Sequence, residues 1–469
     1  MADFTLTGYS TTAQTMTGND TGILTDADAN LVVNGDAITS TGDGNSLSIN
    51  GSVIAYSATA HNAVDHDGNT FFAYVGPSGY VNSLEGDAFD LKGTYTMRVH
   101  NTGTILSALD AIDVRQTDGA APIKIVNSGT IIGGSDGLVL DAGSAKVTIL
   151  NSGTIEGDAS GIFSNFFTGS TGITVLRNSG TISGGSGMSY TTETGSGVDR
   201  IFNSGIMNGD VKMGDGNDRL DNNGGVINGT VLAGTGNDTL AGGENTDDFS
   251  GGADADTIVG RGGDDLLNGD SGDDYILGGA GNDDIDAGDD NDTVNANAGD
   301  DSIYGEGGND LLVGQDGSDL LDGGNDNDTM DGGNGDDILE GGSGNDILRG
   351  RAGEDELAGG PGRDFLTGGQ DVDAFVFRSA SETVVGANRD QILDFEQGGD
   401  SIVVAGLSPG VFEFRGTAAF APSGNPELRL FETPTGSTIV QLDVDGDGTQ
   451  DAEIRVAGVT DLTADDFVL

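Results

Sequence analysis

A nine-residue repeat occupies residues 233–376 of this 469-residue chain, and no insertion interrupts its register. Each of the sixteen copies has aspartate at its sixth position and a large apolar residue at its eighth, as in residues 278–286, GGAGNDDID. The first six residues predict a tight turn, and the last three are too few for an independent strand, so they predict short rungs of a stacked sheet. Two repeats then make one flattened coil, with the apolar residues inside and the flanking polar residues outside.

The fourth position of the repeat indicates what the turn requires of the backbone. It is glycine in eleven copies and is otherwise Asn245, Asp254, Asp290, Asp326 or Asp371. Asn and Asp are the residues other than glycine that best tolerate a positive φ. The fourth position is therefore predicted to have a left-handed backbone in every copy.

This repeat resembles the calcium-binding nonapeptide of RTX (repeats-in-toxin) proteins of the hemolysin type. The resemblance implies a parallel β-roll in which Ca²⁺ lies between turns of neighbouring coils and takes carbonyl oxygens and position-six carboxylates as ligands. Sixteen turns contain about fourteen neighbouring pairs, which is the largest number of ions expected. The weakest turns are those of residues 242–259 and the one that ends at Phe375. The implied ligands are Asp238, Asp247, Asp256, Asp265, Asp274, Asp283, Asp292, Asp301, Asp310, Asp319, Asp328, Asp337, Asp346, Asp355, Asp364 and Asp373.

The formal net charge of −59 is a second constraint on folding. Carboxylates at this density lie closer together than a Debye length and repel one another. We therefore expect calcium binding to be part of the folding free energy, and the repeats to be disordered without calcium. Permanent disorder, which an acidic and glycine-rich composition alone would suggest, does not account for the apolar eighth position. The charge also argues against nucleic acid and anionic membranes as partners.

A longer repeat precedes the nonapeptides, with 20 to 27 residues between equivalent asparagines. Apolar residues alternate before several copies, so each unit predicts one coil of a parallel β-helix. Its asparagine would stack at a corner and hydrogen-bond along the ladder. The core sequence, Asn-Ser-Gly-Thr-Ile-x-Gly, occurs at residues 127–133, 151–157 and 178–184, and looser copies begin at Asn101, Asn203 and Asn223.

The two repeats merge at residues 203–242, where each coil begins with the asparagine unit and ends with a nonapeptide-like segment. We therefore predict an all-β fold in which a right-handed parallel β-helix continues into a calcium-bound RTX β-roll. Asp218, at the junction, is predicted to be a further calcium ligand. The predicted domains are residues 1–210 for the β-helix, 211–376 for the roll and 377–469 for a C-terminal β cap.

Two segments rich in aromatic residues interrupt the longer repeat, at residues 57–82 and 162–168. One interpretation is a lid that covers the open end or side of the solenoid, which a rod with exposed edges requires. The other is an exposed patch for a cell-surface glycan or for self-association. The sequence favours the lid and does not identify a ligand.

Two features mark the segment that follows the repeats. Residues 390–402 resemble the segment that caps the β-roll in serralysin-type and other RTX proteins. A loop further on places four aspartates at positions 1, 3, 5 and 9 of a calcium-type motif, although Ile454 replaces the glutamate expected at position 12. A calcium site and a plain acidic hairpin both remain open for this loop. Its aspartates are Asp443, Asp445, Asp447 and Asp451.

The two ends of the chain bear on its destination. Residues 462–469, LTADDFVL, resemble the uncleaved type I secretion signal of RTX proteins, and the first residues lack the basic and apolar regions of a signal peptide. The resemblance implies that the type I secretion machinery of a bacterium exports the unfolded chain, which then folds in extracellular calcium. No apolar stretch approaches the roughly 18 residues of a membrane span.

No catalytic constellation is found in the sequence. There is no cysteine, and none of His61, His66 and His100 begins the zinc motif H-E-x-x-H. We therefore expect no enzyme but a secreted, structural or adhesive protein of the cell surface, a surface layer or a biofilm matrix. The alternative is a polysaccharide epimerase or lyase, since such enzymes pair a β-helix with RTX repeats. Against it, the basic residues are scattered along the sequence, and only His66 is flanked by carboxylates.

Overall fold

The computed structural model describes residues 2–17, 20–25, 28–56, 59, 61–94, 96–116, 121–143, 145–165, 172–192, 197–408 and 410–469. Its regular structure is almost entirely β-strand, and the chain divides into two compact units, Met1–Gly252 and Ala253–Leu469. No helix among the described residues has the length and hydropathy to cross a membrane. The parallel β-solenoid predicted from the repeats is confirmed in both units, which are described separately below.

Each coil of the first unit contributes three short strands, as Met97–Asn101, Thr104–Ser107 and Ile112–Gln116 do. Each strand pairs in parallel with its equivalent in the coils before and after it. Side chains alternate between the core and the surface, so that Val99 is buried and its neighbours Arg98 and His100 are exposed. The three strands per coil form three stacks.

The bounds of these strands are as follows. The first stack contains Ala2–Leu6, Thr21–Leu24, Asn45–Ile49, Phe71–Val75, Met97–Asn101, Ile123–Asn127, Lys146–Asn151, Ile173–Asn178, Val198–Asn203, Arg219–Asp221 and Thr239–Ala241. The second contains Tyr9–Ser10, Asn30–Asn34, Ser52–Tyr56, Tyr80–Ser83, Thr104–Ser107, Thr130–Gly133, Thr154–Gly157 and Val226–Asn228. The third contains Gln14–Thr17, Ile38–Thr41, Val64–Asp67, Phe89–Gly93, Ile112–Gln116, Leu138–Asp141, Ser160–Asn165, Val231–Thr235 and Asp248–Ala253, and the long strands Thr181–Thr192 and Ile206–Asp215 belong to both the second and third stacks.

The predicted asparagine corner is present as a buried ladder of side-chain amides. Each Nδ2 donates to the Oδ1 of the asparagine in the next coil over 2.8 to 2.9 Å, and each Oδ1 along the run from Asn101 to Asn203 also accepts from the backbone N–H two residues later. The last amide is that of Asn222, not Asn223, because the side chain of Asn222 is the buried one. The ladder consists of Asn101, Asn127, Asn151, Asn178, Asn203 and Asn222.

The first aromatic segment is not a lid, contrary to the sequence-based preference. Phe71–Val75 and Tyr80–Ser83 are ordinary rungs that pair on both sides with neighbouring coils. Phe71 is fully buried, whereas Phe72 and Tyr74 alternate with it and are 37% and 36% exposed. Of this segment, residues 57, 58 and 60 lie outside the described residues, as do residues 166–168 of the second.

The second unit repeats with the 18-residue period that two nonapeptides predict. Thr257 pairs with Tyr275, which pairs with Thr293, and the same shift of 18 continues through the array. The strands of one sheet are Thr257–Gly262, Tyr275–Ala280, Thr293–Ala298, Leu311–Asp316, Thr329–Asn334, Ile347–Ala352, Phe365–Gln370 and Asp390–Ile392. Those of the other are Leu266–Ser271, Asp284–Asp286, Ser302–Tyr304, Leu320–Asp322, Ile338–Glu340, Glu356–Ala358, Ala374–Val376 and Ser401–Val403.

The apolar eighth residues form the core of the second unit, as predicted, and from Ile258 to Phe375 they are fully buried. The residues that flank them are less polar than expected. Tyr275 and Leu311, both at the seventh position, are 44% and 41% exposed on one sheet. The outward face of that sheet is therefore partly apolar.

Residues after the repeats form a cap of different topology. Glu427–Glu432, Thr438–Asp443 and Ala452–Val456 are antiparallel neighbours, and Ala452–Val456 also pairs in parallel with Asp390–Ile392. A short Glu413–Phe414 strand, a 3-10 turn at Ala464–Asp466 and the strand Phe467–Val468 complete the unit. Phe467–Val468 pairs with Ser401–Val403, and the side chain of Phe467 is 7% exposed.

Candidate metal centre

The position-six aspartates of the second unit stand in two columns. In each column, the backbone N–H of one aspartate donates to Oδ1 of the aspartate one coil further on, over 2.7 to 3.1 Å. The first column contains Asp256, Asp274, Asp292, Asp310, Asp328, Asp346, Asp364 and Asp390. The second contains Asp265, Asp283, Asp301, Asp319, Asp337, Asp355, Asp373 and Asp400.

The second carboxylate oxygen of most column members has no such donor; in Asp400 it accepts from the backbone N–H of Glu396 over 2.7 Å. For Asp274 and the later aspartates up to Asp390, Oδ2 is buried and no donor of the described chain reaches it. The residues themselves are at most 3% exposed. A buried carboxylate oxygen without a partner is costly, and either a proton or a cation would remove that cost. These atoms therefore fit a bound hard cation.

Burial raises the pKa of these carboxyl groups, because desolvation disfavours the charged form and the backbone donor to Oδ1 offsets it only in part. Neighbouring carboxylates add to the shift in most of them. The pKa rises to about 6 for Asp283, Asp310, Asp319 and Asp355, about 7 for Asp274, Asp337, Asp346, Asp373 and Asp390, and about 8 for Asp292, Asp328 and Asp364.

Carboxylate and carbonyl oxygens from successive coils converge beside the first residue of several repeats in which that residue is glycine. A Cβ added to Gly305 would lie 2.7 Å from Oδ2 of Asp310 in the same turn and 2.6 Å from the carbonyl oxygen of Gly323 in the next coil. The same two kinds of oxygen surround Gly278, Gly323 and their equivalents. Oxygen donors shared between coils are the ligands that Ca²⁺ prefers.

Replacing Gly305 with alanine is therefore expected to destabilise the turn, although its φ is not in the left-handed region. The new methyl group would overlap the oxygens of Asp310 and Gly323, at a cost of about 1–3 kcal/mol. The thermal midpoint in calcium should fall for Gly305→Ala and stay close to that of the parent protein for Gly307→Ala, where the nearest atom to an added Cβ is 3.9 Å away. Equal midpoints for the two variants would contradict the proposed crowding.

The turns also strain the backbone at a position that the sequence did not single out. Four of the five non-glycine residues at position four, Asp254, Asp290, Asp326 and Asp371, have positive φ as predicted, whereas Asn245 does not. Two glycines at this position, Gly344 and Gly362, also lie outside the left-handed region. Position two is left-handed as well in every copy where it is not glycine. These residues have φ between 63° and 92°, and they are Arg261, Asp270, Asn297, Glu306, Gln315 and Arg351.

Asp390 and Asp400 are the column members that sequence reasoning missed. Their Oδ1 atoms accept from the backbone N–H of Asp364 and Asp373 over 2.9 and 3.0 Å, as repeat aspartates do. Both begin the triplet Asp-x-Ile, which reproduces positions six to eight of the nonapeptide. That triplet was the available signal, but the full glycine pattern of the nonapeptide does not precede it. The turn that ends at Phe375, expected to be weak, thus continues its column.

The first unit contains three of the predicted ligands. Oδ1 of Asp218 accepts from the backbone of Asp199 over 2.7 Å, and Asp218 donates to Oδ1 of Asp238 over 2.6 Å, in the same pattern as the columns. Burial raises the pKa of Asp218 to about 9. Asp247 differs, because its oxygens accept from Nδ2 of Asn222 and from the backbone of Gly243. Asp247 ends the asparagine ladder, in the turn that was expected to be weak.

The loop at Asp443 brings three of its four aspartates together. Ligand oxygens of Asp443, Asp445 and Asp447 lie within 4.8 Å of one another. Asp443 is buried and accepts from the backbone of Gly446 and Gly448, each over 2.8 Å, whereas Asp445 and Asp447 are exposed. Oδ2 of Asp451 accepts from the backbone at Val444 over 2.7 Å. The three carboxylates could hold a cation, and Asp451 instead fastens the loop.

The groups that an enzyme would require are distributed differently from the sequence-based expectation. His66 lies in the core, stacked on Phe71 with ring centroids 4.7 Å apart, and burial lowers its pKa. His61 contacts Oδ1 of Asp36 over 3.1 Å, and His100 is exposed. A row of acids, Asp65, Asp90 and Asp113, lies in adjacent strands beside Lys92 and Arg115, which form ion pairs with Asp90 and Asp113; those two acids are each only 4% exposed.

Comparison with known proteins identifies the repeat region. The family model of the RTX calcium-binding nonapeptide repeat matches seven overlapping segments, residues 223–258, 250–285, 259–294, 286–321, 304–339, 313–348 and 340–375. No curated protein matches the chain. Among solved structures, the AlgE6R3 subunit of a mannuronan C5-epimerase from Azotobacter vinelandii is 30% identical over 31% of this chain and 78% of that chain, with a TM-score of 0.25. Residues 223–375 are thus a tandem array of calcium-binding nonapeptides, and the protein belongs to the RTX proteins of the hemolysin type, which bind several calcium ions.

Proposed function

We propose that this protein is secreted, folds when its aspartate columns bind extracellular Ca²⁺, and has a structural or adhesive role at a bacterial surface. The observation that carries the proposal is the run of buried Oδ2 atoms that no donor of the described chain reaches. The proposed ligands are the position-six aspartates, joined by Asp390 and Asp400, with Asp218 in the first unit and the Asp443 loop as separate sites. Bound Ca²⁺ supplies the positive charge, and the protein supplies the spacing of its oxygens.

Export through the type I machinery follows from the same proposal. A chain whose repeats stay unfolded at low cytosolic calcium is a suitable substrate for a narrow export channel, and it folds only after release. Extracellular calcium modules need dissociation constants of only about 10⁻⁴–10⁻³ M. The C-terminal residues that resemble the secretion signal form a strand of the cap, so export and capping use the same segment at different times.

The test is calcium binding by variants that remove one carboxylate from each column. Asp310→Asn with Asp319→Asn is expected to lower the number of bound ions, measured by isothermal titration calorimetry and metal analysis. The calcium midpoint of the circular-dichroism transition should rise about tenfold. The matched control is Asp264→Asn with Asp300→Asn, which changes the charge equally at exposed positions. An unchanged ion count in the column variant, or an equal change in the control, would refute the assignment.

A second candidate function is modification of a polysaccharide. The row of Asp65, Asp90 and Asp113 favours it, because burial raises the pKa of Asp65 and Asp113 and Arg115 lies beside them. A carboxyl group with a raised pKa can act as a general acid. If the protein forms a product from a polyuronate and Asp113→Asn abolishes that activity, this function is selected over a purely structural role.

A further inference from the structure

One outward face of the first unit collects cations from an otherwise acidic chain. Six successive strands of the first stack, from Met97–Asn101 to Arg219–Asp221, each present one basic side chain to the surface. The sequence suggested scattered basic residues, but the regular register of the coils brings these six together. We call them the basic face, and its members are Arg98, Lys124, Lys146, Arg177, Arg200 and Arg219.

The cations of the basic face do not pair with acids. No carboxylate of the described chain lies within 4.0 Å of the charged groups of Arg98, Lys124, Lys146, Arg177 or Arg200, and Arg219 reaches Asp221 only at 4.0 Å. Elsewhere the pattern is mixed: Lys92, Arg351, Arg378, Arg389 and Arg415 have carboxylate partners, whereas none of the described residues gives such a partner within 4.0 Å to Lys212, Arg349, Arg363, Arg429 or Arg455. The basic face thus gathers in one place five cations that have no carboxylate partner among the described residues, in a chain with 77 acidic and 18 basic residues.

The arrangement also places like charges directly opposite each other. Arg98 pairs in register with Lys124, and Arg200 pairs in register with Arg219. Neighbouring strands are about 4.8 Å apart, so like charges in adjacent rungs destabilise the sheet. An anionic partner that lies along the face would offset this repulsion.

Aromatic rings accompany the cations. Phe72 and Tyr74 are exposed in the strand next to Arg98 and His100, and the guanidinium of Arg98 lies 5.7 Å from the ring centre of Phe72. The guanidinium of Arg177 lies 4.2 Å from the ring centre of Phe202.

A hollow of 320 Å³ lies at this second pair, and its wall includes Ser179, Ser204, Asn223 and one acid, Asp221. A guanidinium, an aromatic ring and mostly neutral hydrogen-bonding groups around one hollow are suited to a sugar ring that carries a carboxylate.

We propose that the basic face binds an extended anionic polysaccharide of the uronic-acid type. Such a polymer carries one carboxylate per sugar, and the face offers one cation per coil over six coils, at a spacing of about 4.8 Å. Duplex DNA fits less well, since its charges are spaced about 1.7 Å apart and the rest of this protein repels a polyanion of that density. Guanidinium groups bind the carboxylates, and Phe72, Tyr74 and Phe202 contact the sugar faces.

The experiment measures binding of hexagalacturonate to the full-length protein, folded in about 1 mM Ca²⁺, by isothermal titration calorimetry. Arg98→Gln with Arg177→Gln should weaken binding at least about tenfold. Lys212→Gln with Arg349→Gln, which changes the charge equally at positions outside the basic face, should stay within about twofold of the parent protein. Phe72→Ala with Tyr74→Ala, which leaves the charge unchanged, should weaken binding about threefold or more. Circular dichroism confirms that each variant is folded.

Four results of the binding measurements would overturn the proposal. They are unchanged affinity in the Arg98 and Arg177 variant, an equal loss in the Lys212 and Arg349 variant, equally tight binding of neutral maltohexaose, and equally tight binding of single-stranded DNA of the same charge. The copies of the protein could instead associate with one another and bind no sugar, with the Arg98 and Arg177 variant abolishing that association. This result would assign the basic face to a second copy and would also overturn the proposal. None of these outcomes changes the calcium stoichiometry, so the proposed function is tested separately.

Discussion

Removal of calcium at neutral pH is expected to unfold the repeats of the second unit. Without a cation, the two columns hold carboxylates in a buried row, where each loses solvation and repels its neighbours. An unfolded chain hydrates the same groups and separates them. The repulsion therefore destabilises the folded state relative to the unfolded state, and bound calcium makes the folded state the more stable of the two.

The size of this effect follows from binding linkage. At about 10 mM Ca²⁺ and dissociation constants of about 10⁻⁴–10⁻³ M, each site stabilises the folded state by about 1.4 to 2.7 kcal/mol. Ten such sites together contribute on the order of 15–25 kcal/mol, which exceeds the roughly 5–15 kcal/mol of net stability typical of a domain. Chelation should thus abolish the fold of the repeats and not merely lower its melting temperature.

Hydrogen exchange in excess chelator, measured by mass spectrometry, tests this expectation for each segment of the chain. Residues 253–376 should exchange rapidly, whereas the coils that contain Asn127, Asn151 and Asn178 should stay protected, because their corner is held by neutral amides. Mg²⁺ at the same concentration should not restore protection, since it demands a tighter octahedral geometry. Identical protection with and without calcium would be incompatible with the proposed function.

The sequence predicted most of the second unit because its pattern is redundant. An invariant aspartate and an invariant apolar residue fix the period, the two columns and the core, and none of these depends on long-range contacts. The same reasoning gave the asparagine ladder, apart from a shift of one residue at Asn222. That shift depends on which of two adjacent side chains is buried. The sequence does not distinguish them, because residues 222 and 223 are both asparagine.

The features that the sequence did not predict depend on packing between coils. Phe72 and Tyr74 suggested a lid until the register showed them to be part of a regular strand. Asp390 and Asp400 continue the columns although they lie beyond the last glycine turn. The basic face combines residues about 20 to 30 positions apart, and coils of varying length conceal that alignment in the linear sequence.

Acid is expected to replace calcium in part, which is the second large effect. The pKa values of the column carboxyls are raised to about 6 to 8 in the folded state, whereas an unfolded aspartate titrates near 3.8. A group with a raised folded pKa contributes stability that is complete below the unfolded value and is lost as the pH rises through the folded value. In chelator, the folded fraction of the repeats should therefore be larger at pH 5.5 than at pH 8.

Calcium weakens this trend. Protons and Ca²⁺ compete for the same Oδ2 atoms and both stabilise the folded state, so the stability that calcium adds over chelator should shrink as the pH falls below the range of about 6 to 8. Acid thus favours the folded state in chelator, and it weakens calcium binding when calcium is present. Far-UV circular dichroism, recorded against pH in chelator and against calcium at each pH, measures both trends. A folded fraction in chelator that grows from pH 5.5 to pH 8 would contradict the assignment.

General charge repulsion also weakens in acid, and two controls separate it from titration of the columns. Sodium chloride at about 1 M screens exposed charges but cannot supply a proton to a buried oxygen, so it should rescue the fold less than acid does. Asp292→Asn with Asp328→Asn imitates the protonated columns and should increase the folded fraction in chelator at pH 8. The exposed pair, Asp264→Asn with Asp300→Asn, removes the same charge and should have a smaller effect, because only the buried groups incur the desolvation cost.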